Sequence, residues 1–202
     1  MQFVIFHGTF SSIDENWFPW LKENLEKLGQ TVFAIQFPVD DMSVVQKSPE
    51  TYTNPKESLT SWMETFEREL LPQLKTDEKI CFVGHSLAPA FILQAVSKHH
   101  LQLDSSIFVA PFLQDIGNPT FDVINHSFYE HPVDYDVVKP LLGVTYSVFS
   151  TNDPYVPQKY NEEFATLTSG QKIILTGGGH LGSALTELPI VLELCKTRFF
   201  YE

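Results

Sequence analysis

Ser86, Asp153 and His180 offer a hydroxyl, a carboxylate and an imidazole, the three groups that nucleophilic attack on a carbonyl requires. A serine hydroxyl is a weak nucleophile until a neutral imidazole accepts its proton. A carboxylate on the far ring nitrogen holds that imidazole in one tautomer and stabilises the imidazolium that forms. Backbone N–H groups must then meet the oxyanion of the tetrahedral intermediate. Ser86 lies in Gly84-His85-Ser86-Leu87-Ala88, a Gly-x-Ser-x-Ala pattern. A short apolar run, Ile80 to Val83, precedes it, and a long apolar segment, Leu87 to Val96, follows. This is strand, tight turn and helix with a serine at the apex. Such a turn pushes the serine oxygen out of the sheet edge and points the next N–H, that of Leu87, at whatever the serine attacks. The second N–H is expected from His7-Gly8-Thr9-Phe10, with Thr9 favoured and Phe10 next. The plainer reading of the pentapeptide is a buried turn whose serine only caps a helix.

The elements needed to position these groups can be read along the chain. Strands are expected at Gln2 to Phe6, Thr31 to Phe37, Ile80 to Val83, Ser105 to Ala110, Gly143 to Phe149 and Gln171 to Leu175. Helices are expected from Trp17 to Leu28, from Ser58 past Leu70, from Leu87 to Val96, from Val133 to Leu142, from Pro157 to Leu167, and over Leu188 to Phe199. Glu64 and Arg68, four apart, are placed to pair on the second of these. Alternation of this kind implies a parallel sheet with right-handed crossovers. The strands lack the alternation of a half-wet sheet, so helices are expected on both faces. The fold class is thus α/β: one domain over residues 1–202, α/β-hydrolase-like, with about six mainly parallel strands. In such a sheet ligands bind where the strand C-termini open. His7, Ser86, Asp153 and His180 each follow such an end, and the order Ser, Asp, His belongs to the α/β-hydrolase arrangement.

Other residues compete for roles. Asp115, just past the fourth strand, is the rival carboxylate, and Asp153 before Pro154 could be only a turn residue. His7 reads as structural, His85 as packed within the turn, and His99 and His100 as solvent-exposed. His126, Glu130 and His131 match no metal-site spacing, so no metal and no cofactor is expected. Asp40 and Asp41 read as solvating a long polar loop, residues 38–57. Loops of that length in a compact domain are usually functional or mobile. Some aromatics of the 111–142 segment are expected over the serine.

Composition narrows the partners. The chain of 202 residues has a net charge of −12, with 43% hydrophobic residues. Phosphate binding needs clustered Lys and Arg, so no nucleic-acid or membrane partner is expected, anionic membranes should repel the chain, and strongly anionic substrates are disfavoured. The two cysteines, Cys81 and Cys195, lie far apart in the chain on apolar faces and read as reduced core residues of a cytoplasmic protein. With a strand expected by Phe3, no signal peptide is expected, and no apolar run approaches the length of a membrane span.

The segments FVIFHGTFSS, WFPWLKENLEKLG, ICFVGHSLAPAF, VFSTNDPYVP and TGGGHLGS together resemble the small α/β-hydrolases that include retinoblastoma-binding protein 9 and its bacterial relatives. The resemblance covers nearly the whole chain. It implies Ser86 as nucleophile, Asp153 as acid and His180 as base, with no metal and no large cap domain. It also implies a serine hydrolase acting on simple ester and amide-type substrates. Ala88 stands where the common pattern has glycine, and the long segment from Asp40 to Lys56 leaves substrate choice to this chain's own loops. The leading expectation is hydrolysis of a small ester, thioester or amide through an acyl-enzyme on Ser86. Two other readings stay open: a binding or scaffolding protein on a hydrolase fold, for which no protein partner is indicated, and an acyltransferase using the same triad.

Overall fold

The structure is a computed structural model and describes residues 1–182 and 184–200. Ser183, the last residue of TGGGHLGS, lies outside the described residues. In chain order the elements are β1 (Gln2–Phe6), α1 (Phe18–Lys27), β2 (Thr31–Ala34), α2 (Met42–Val45), α3 (Leu59–Thr65), β3 (Ile80–His85), α4 (Ala88–His99), β4 (Ser105–Val109), α5 (Pro119–Asn125), α6 (Tyr135–Val138), β5 (Val144–Ser150), α7 (Gln158–Leu167), β6 (Gln171–Leu175) and α8 (Pro189–Lys196). The six strands form one sheet in the order β2-β1-β3-β4-β5-β6, and every neighbouring pair is parallel. From β1 the chain steps outward to β2 and then returns to the other side at β3. The crevice at that reversal lies between the C-terminal ends of β1 and β3, where Phe6 is in register with Gly84.

Alternate residues of the central strands feed two cores. Val4, Phe6, Phe82 and Phe108 face one side, with Trp62, Phe91, Phe128 and Phe164 from α3, α4, the turn after α5, and α7. Phe3, Ile5, Val83, Ile107 and Val148 face the other, against Phe18, Leu21 and Leu25 of α1 and Val191, Leu192 and Cys195 of α8. Period-2 alternation places one set on each face, and both are covered because parallel strands need crossovers. Each fully buried aromatic contributes about 1.5–3 kcal/mol relative to exposure. Cys81 and Cys195 are both free and buried, and although remote in sequence they meet between the sheet and α8, where burial and then the Cys81 thiol push the Cys195 thiol up.

Several expected boundaries move for local reasons. β2 ends at Ala34 rather than Phe37, because the Phe37 N–H turns away from the ladder to donate to His7 Nε2 at 3.0 Å. The helix from Ser58 widens to a π-helical turn over Phe66–Leu70, and a 3-10 turn with Pro72 follows. Widening shifts the four-residue register, so Arg68 pairs with Glu69 at 2.7 Å and not with Glu64. The crossover expected over 133–142 holds only the short α6 and a 3-10 turn at Lys139–Leu141. α5 is a helix outside those expected, although Asn118-Pro119 is a helix-start signal. Asn118 Oδ1 accepts from Thr120 N at 3.1 Å, and proline occupies the first turn. His99 is half-buried, with its ring against Phe66 and Nε2 2.9 Å from Glu67, whereas His100 is exposed as expected.

Candidate active site

Ser86 sits between β3 and α4 with φ +61, a left-handed conformation unusual for a residue with a Cβ. Its N–H donates to Val109 O at 2.8 Å, which ties the apex to the end of β4. Close packing beneath it requires Gly84, since a Cβ there would lie 2.6 Å from Ile92 Cδ1 and 3.2 Å from Pro89 N. Ala88 is fully buried, so the extra methyl at the last position of the pattern is accommodated in the core.

Ser86 Oγ lies 2.9 Å from His180 Nε2, and His180 Nδ1 lies 2.7 Å from Asp153 Oδ2. The second carboxylate oxygen of Asp153 accepts from the N–H groups of Tyr155 at 2.8 Å and Val156 at 3.0 Å. Burial is the largest single influence on Asp153 and favours its neutral form. The hydrogen bond and charge of His180, joined by the two backbone N–H donors, outweigh it and hold the carboxyl below its ordinary value. An ionised Asp153 fixes the His180 proton on Nδ1 and leaves Nε2 free to accept from the serine.

The histidine loop is held at several points. Gly177, Gly178 and Gly179 all have positive φ, a run that residues with side chains would resist. Ser150 Oγ donates to Gly179 O, and Gly179 N donates to Asn152 Oδ1 at 3.0 Å. On the far side Trp17 Nε1 donates to Leu181 O at 2.8 Å. His85 Nε2 lies 3.0 Å from His180 O, and burial, then the nearby His180, push its pKa down to about 3. His85 is therefore neutral and serves as an N–H donor that braces the loop.

Asp115, the rival carboxylate, is exposed and bonded to Tyr129 OH at 2.9 Å, with His126 Nδ1 at 3.4 Å. Burial, followed by that bond, pushes the Tyr129 hydroxyl up. Among the described residues no group of three or more His, Cys, Asp or Glu is arranged to hold a metal ion.

The loop after β1 approaches Ser86 closely. A Cβ on Gly8 would lie 2.8 Å from Ser86 Cβ and 3.3 Å from its Oγ. Gly8→Ala should therefore displace this loop and lower kcat by about 100-fold with the fold retained, as judged by steady-state kinetics beside a circular dichroism melt. His7 is fully buried and its ring is committed: Nδ1 bonds Gly8 O at 2.9 Å, and Nε2 accepts from Phe37 N. Burial pushes its pKa down despite those bonds, so it is neutral and structural. Of the two expected donors, Phe10 N–H is taken by the Glu57 carboxyl at 3.1 and 3.3 Å. Among the described residues Thr9 N–H and Leu87 N–H are paired with no acceptor. Thr9 is tethered through its hydroxyl, which donates to Asn125 Oδ1 at 2.6 Å.

Asp40 and Asp41 do more than solvate their loop. Asp40 is buried, and its two oxygens accept from Tyr52 OH at 2.6 Å and Glu57 N at 2.8 Å, while Asp41 caps α2. Glu57 had no signal in the sequence beyond its place at the end of a polar loop.

A cavity of about 280 Å³ opens over Ser86 and His180. Phe112, Ile116, Phe121 and Val156 form its apolar wall, and Met42 and Glu15 also border it. Phe10, Phe121, Tyr155 and His180 follow one another ring to ring at 5.5, 5.7 and 5.3 Å. The aromatics of the 111–142 segment thus divide, with Phe128 in the core, Phe121 on the cavity, and Phe112 buried in the core where it borders the cavity.

Fold and crevice together define an α/β-hydrolase. The profile of the serine hydrolase family matches residues 3–196, and the chain belongs to that family. The YdeN protein of Bacillus subtilis (strain 168) is 26% identical over 206 residues, covering 100% of this chain and 97% of its own. The serine hydrolase RBBP9 of Rattus norvegicus is 23% identical over 182 residues, covering 90% and 85%. In structure the chain is similar to the crystal structure of the B. subtilis ydeN product, with a TM-score of 0.81, 23% identity and 98% of each chain covered. It is also similar to Est1E of Butyrivibrio proteoclasticus with ferulic acid bound, at a TM-score of 0.68 and 14% identity, covering 98% of this chain and 88% of the other. No helix among the described residues is long and apolar enough to cross a membrane.

Proposed function

We propose that this hydrolase cleaves a small, uncharged ester, thioester or amide with an apolar acyl group, through an acyl-enzyme on Ser86. The observation that carries the reading is the continuous hydrogen-bonded line from Ser86 Oγ to His180 to Asp153. His180 Nε2 takes the hydroxyl proton as Oγ attacks the carbonyl carbon, and Asp153 stabilises the imidazolium. Thr9 N–H and Leu87 N–H receive the oxyanion; losing one such donor costs about 3–4 kcal/mol of barrier. Collapse expels the alcohol, thiol or amine, which takes its proton from His180. Water then attacks the acyl carbon as the same nitrogen takes its proton, and collapse breaks the C–Oγ bond, releasing the acid and returning that proton to Ser86 Oγ.

The cavity supports the choice of substrate. Its wall of Phe112, Ile116, Phe121 and Val156 suits an apolar acyl or aromatic group. The Glu15 carboxylate at its border and the net charge of −12 work against a negatively charged one.

The test pairs a fluorophosphonate probe with matched p-nitrophenyl esters. Labelling at Ser86 is expected, together with a kcat/KM for the butyrate ester about 10-fold or more above that for the hemisuccinate. Absence of labelling in folded protein would remove the acyl-enzyme and favour a scaffold. Equal rates for the two esters would remove the apolar, uncharged substrate.

A further inference from the structure

We propose that Glu57 is a positioning residue for the oxyanion side of this site: its buried carboxyl holds Phe10 N–H, in the peptide directly after Thr9, and so fixes the turn that presents Thr9 N–H. The inference rests on the hydrolase reading above and adds a residue from outside the triad.

Glu57 is completely buried, yet it belongs to no helix or strand. Burying a carboxyl without a compensating interaction is costly. Its carboxyl accepts from the N–H of Phe10 at 3.1 and 3.3 Å, with a weaker backbone contribution from Asp40. That residue lies directly after Thr9 and is held at φ +53, a conformation the neighbouring structure must impose. Gly8, on the other side of Thr9, packs against Ser86 Cβ. The Gly8–Phe10 turn that carries Thr9 N–H is thus held by Ser86 at one end and by Glu57 at the other.

The Asp40 carboxylate closes the 40–57 loop by accepting from Glu57 N at 2.8 Å and Tyr52 OH at 2.6 Å. The closest partner of the Glu57 carboxyl lies outside that loop, on the one after β1. Burial, and in smaller part the charge of Asp40, push its pKa up to about 8 against the pull of the Phe10 and Asp40 backbone N–H groups. At neutral pH the carboxyl is thus mostly protonated and accepts through a neutral oxygen, which glutamine reproduces in size and chemistry.

Glu57→Met and Glu57→Gln separate the acceptor from the volume. The methionine variant should lower kcat by about 10- to 100-fold while KM stays within about threefold. Its affinity for an aryl boronic acid, a tetrahedral mimic, should fall by the same factor as kcat. The glutamine variant should stay within about threefold of wild type in all three quantities. Unchanged kcat in Glu57→Met would overturn the inference, as would a loss confined to KM or an equal loss in both variants. If Glu57→Met does not fold, amide exchange of wild type labelled with ¹⁵N-phenylalanine decides: Phe10 N–H should be strongly protected, and free exchange there would overturn the assignment. Failure of wild type to label with fluorophosphonate would bring down the hydrolase reading and the inference with it. A labelled, active wild type whose Glu57→Met keeps its kcat brings down the inference alone.

Discussion

Ser86→Ala should lower turnover of any accepted ester by about 10⁶-fold, the scale on which removal of a triad serine acts. The substitution deletes the atom 2.9 Å from His180 Nε2 and touches nothing that supports the turn. The strained φ of +61 is as acceptable to alanine as to serine, and Gly84 and the Val109 hydrogen bond remain. The thermal midpoint should therefore stay within a few degrees of wild type. His180→Ala should cost about as much, and the double variant little more than either alone, because the two side chains act as a unit. Steady-state rates and fluorophosphonate labelling measure this together. Independent, multiplying losses in the two single variants would mean that the 2.9 Å contact is not the one that activates the serine.

Asp153→Asn should cost about 10⁴-fold in kcat with geometry retained. An asparagine amide facing His180 Nδ1 would donate to it and push the ring proton to Nε2, the nitrogen that must accept from Ser86. Asp115→Asn should change kcat by no more than about twofold, since Asp115 is occupied with Tyr129 at the surface. A larger loss at Asp115 than at Asp153 would reverse the assignment. The same substitution has a stability signature. The Asp153 carboxyl titrates below its unfolded value of roughly 3.9, so its stabilisation is present above that pH and is lost as pH falls through the folded value. Acid melts of Asp153→Asn should lack that part of the decline below pH ~4, and identical acid limbs would contradict the depressed pKa.

Much of this was set by sequence alone, because the signals are short-range. Strand runs such as Gln2 to Phe6 and helix runs such as Leu87 to Val96 carry their periodicity within a few residues, and they give six parallel strands covered on both faces. Ser86, Asp153 and His180 could be singled out because strand C-termini share one edge, and each follows such an end. What remained depended on contacts between distant segments. No local pattern tells Thr9 from Phe10; Glu57, 47 residues further on, occupies one N–H and leaves the other. No spacing rule separates Asp153 from Asp115, but the seat of His180 beside β5 does. Asp40 read as a solvated loop residue because polar sequence ordinarily marks surface. It is buried because Tyr52 and the Glu57 backbone fold back to meet it. Cys81 and Cys195, 114 positions apart, meet only because α8 returns across the sheet to β3. Periodicity follows from the backbone geometry of each segment, whereas the partner of a buried polar group is settled only when the whole chain has closed around it.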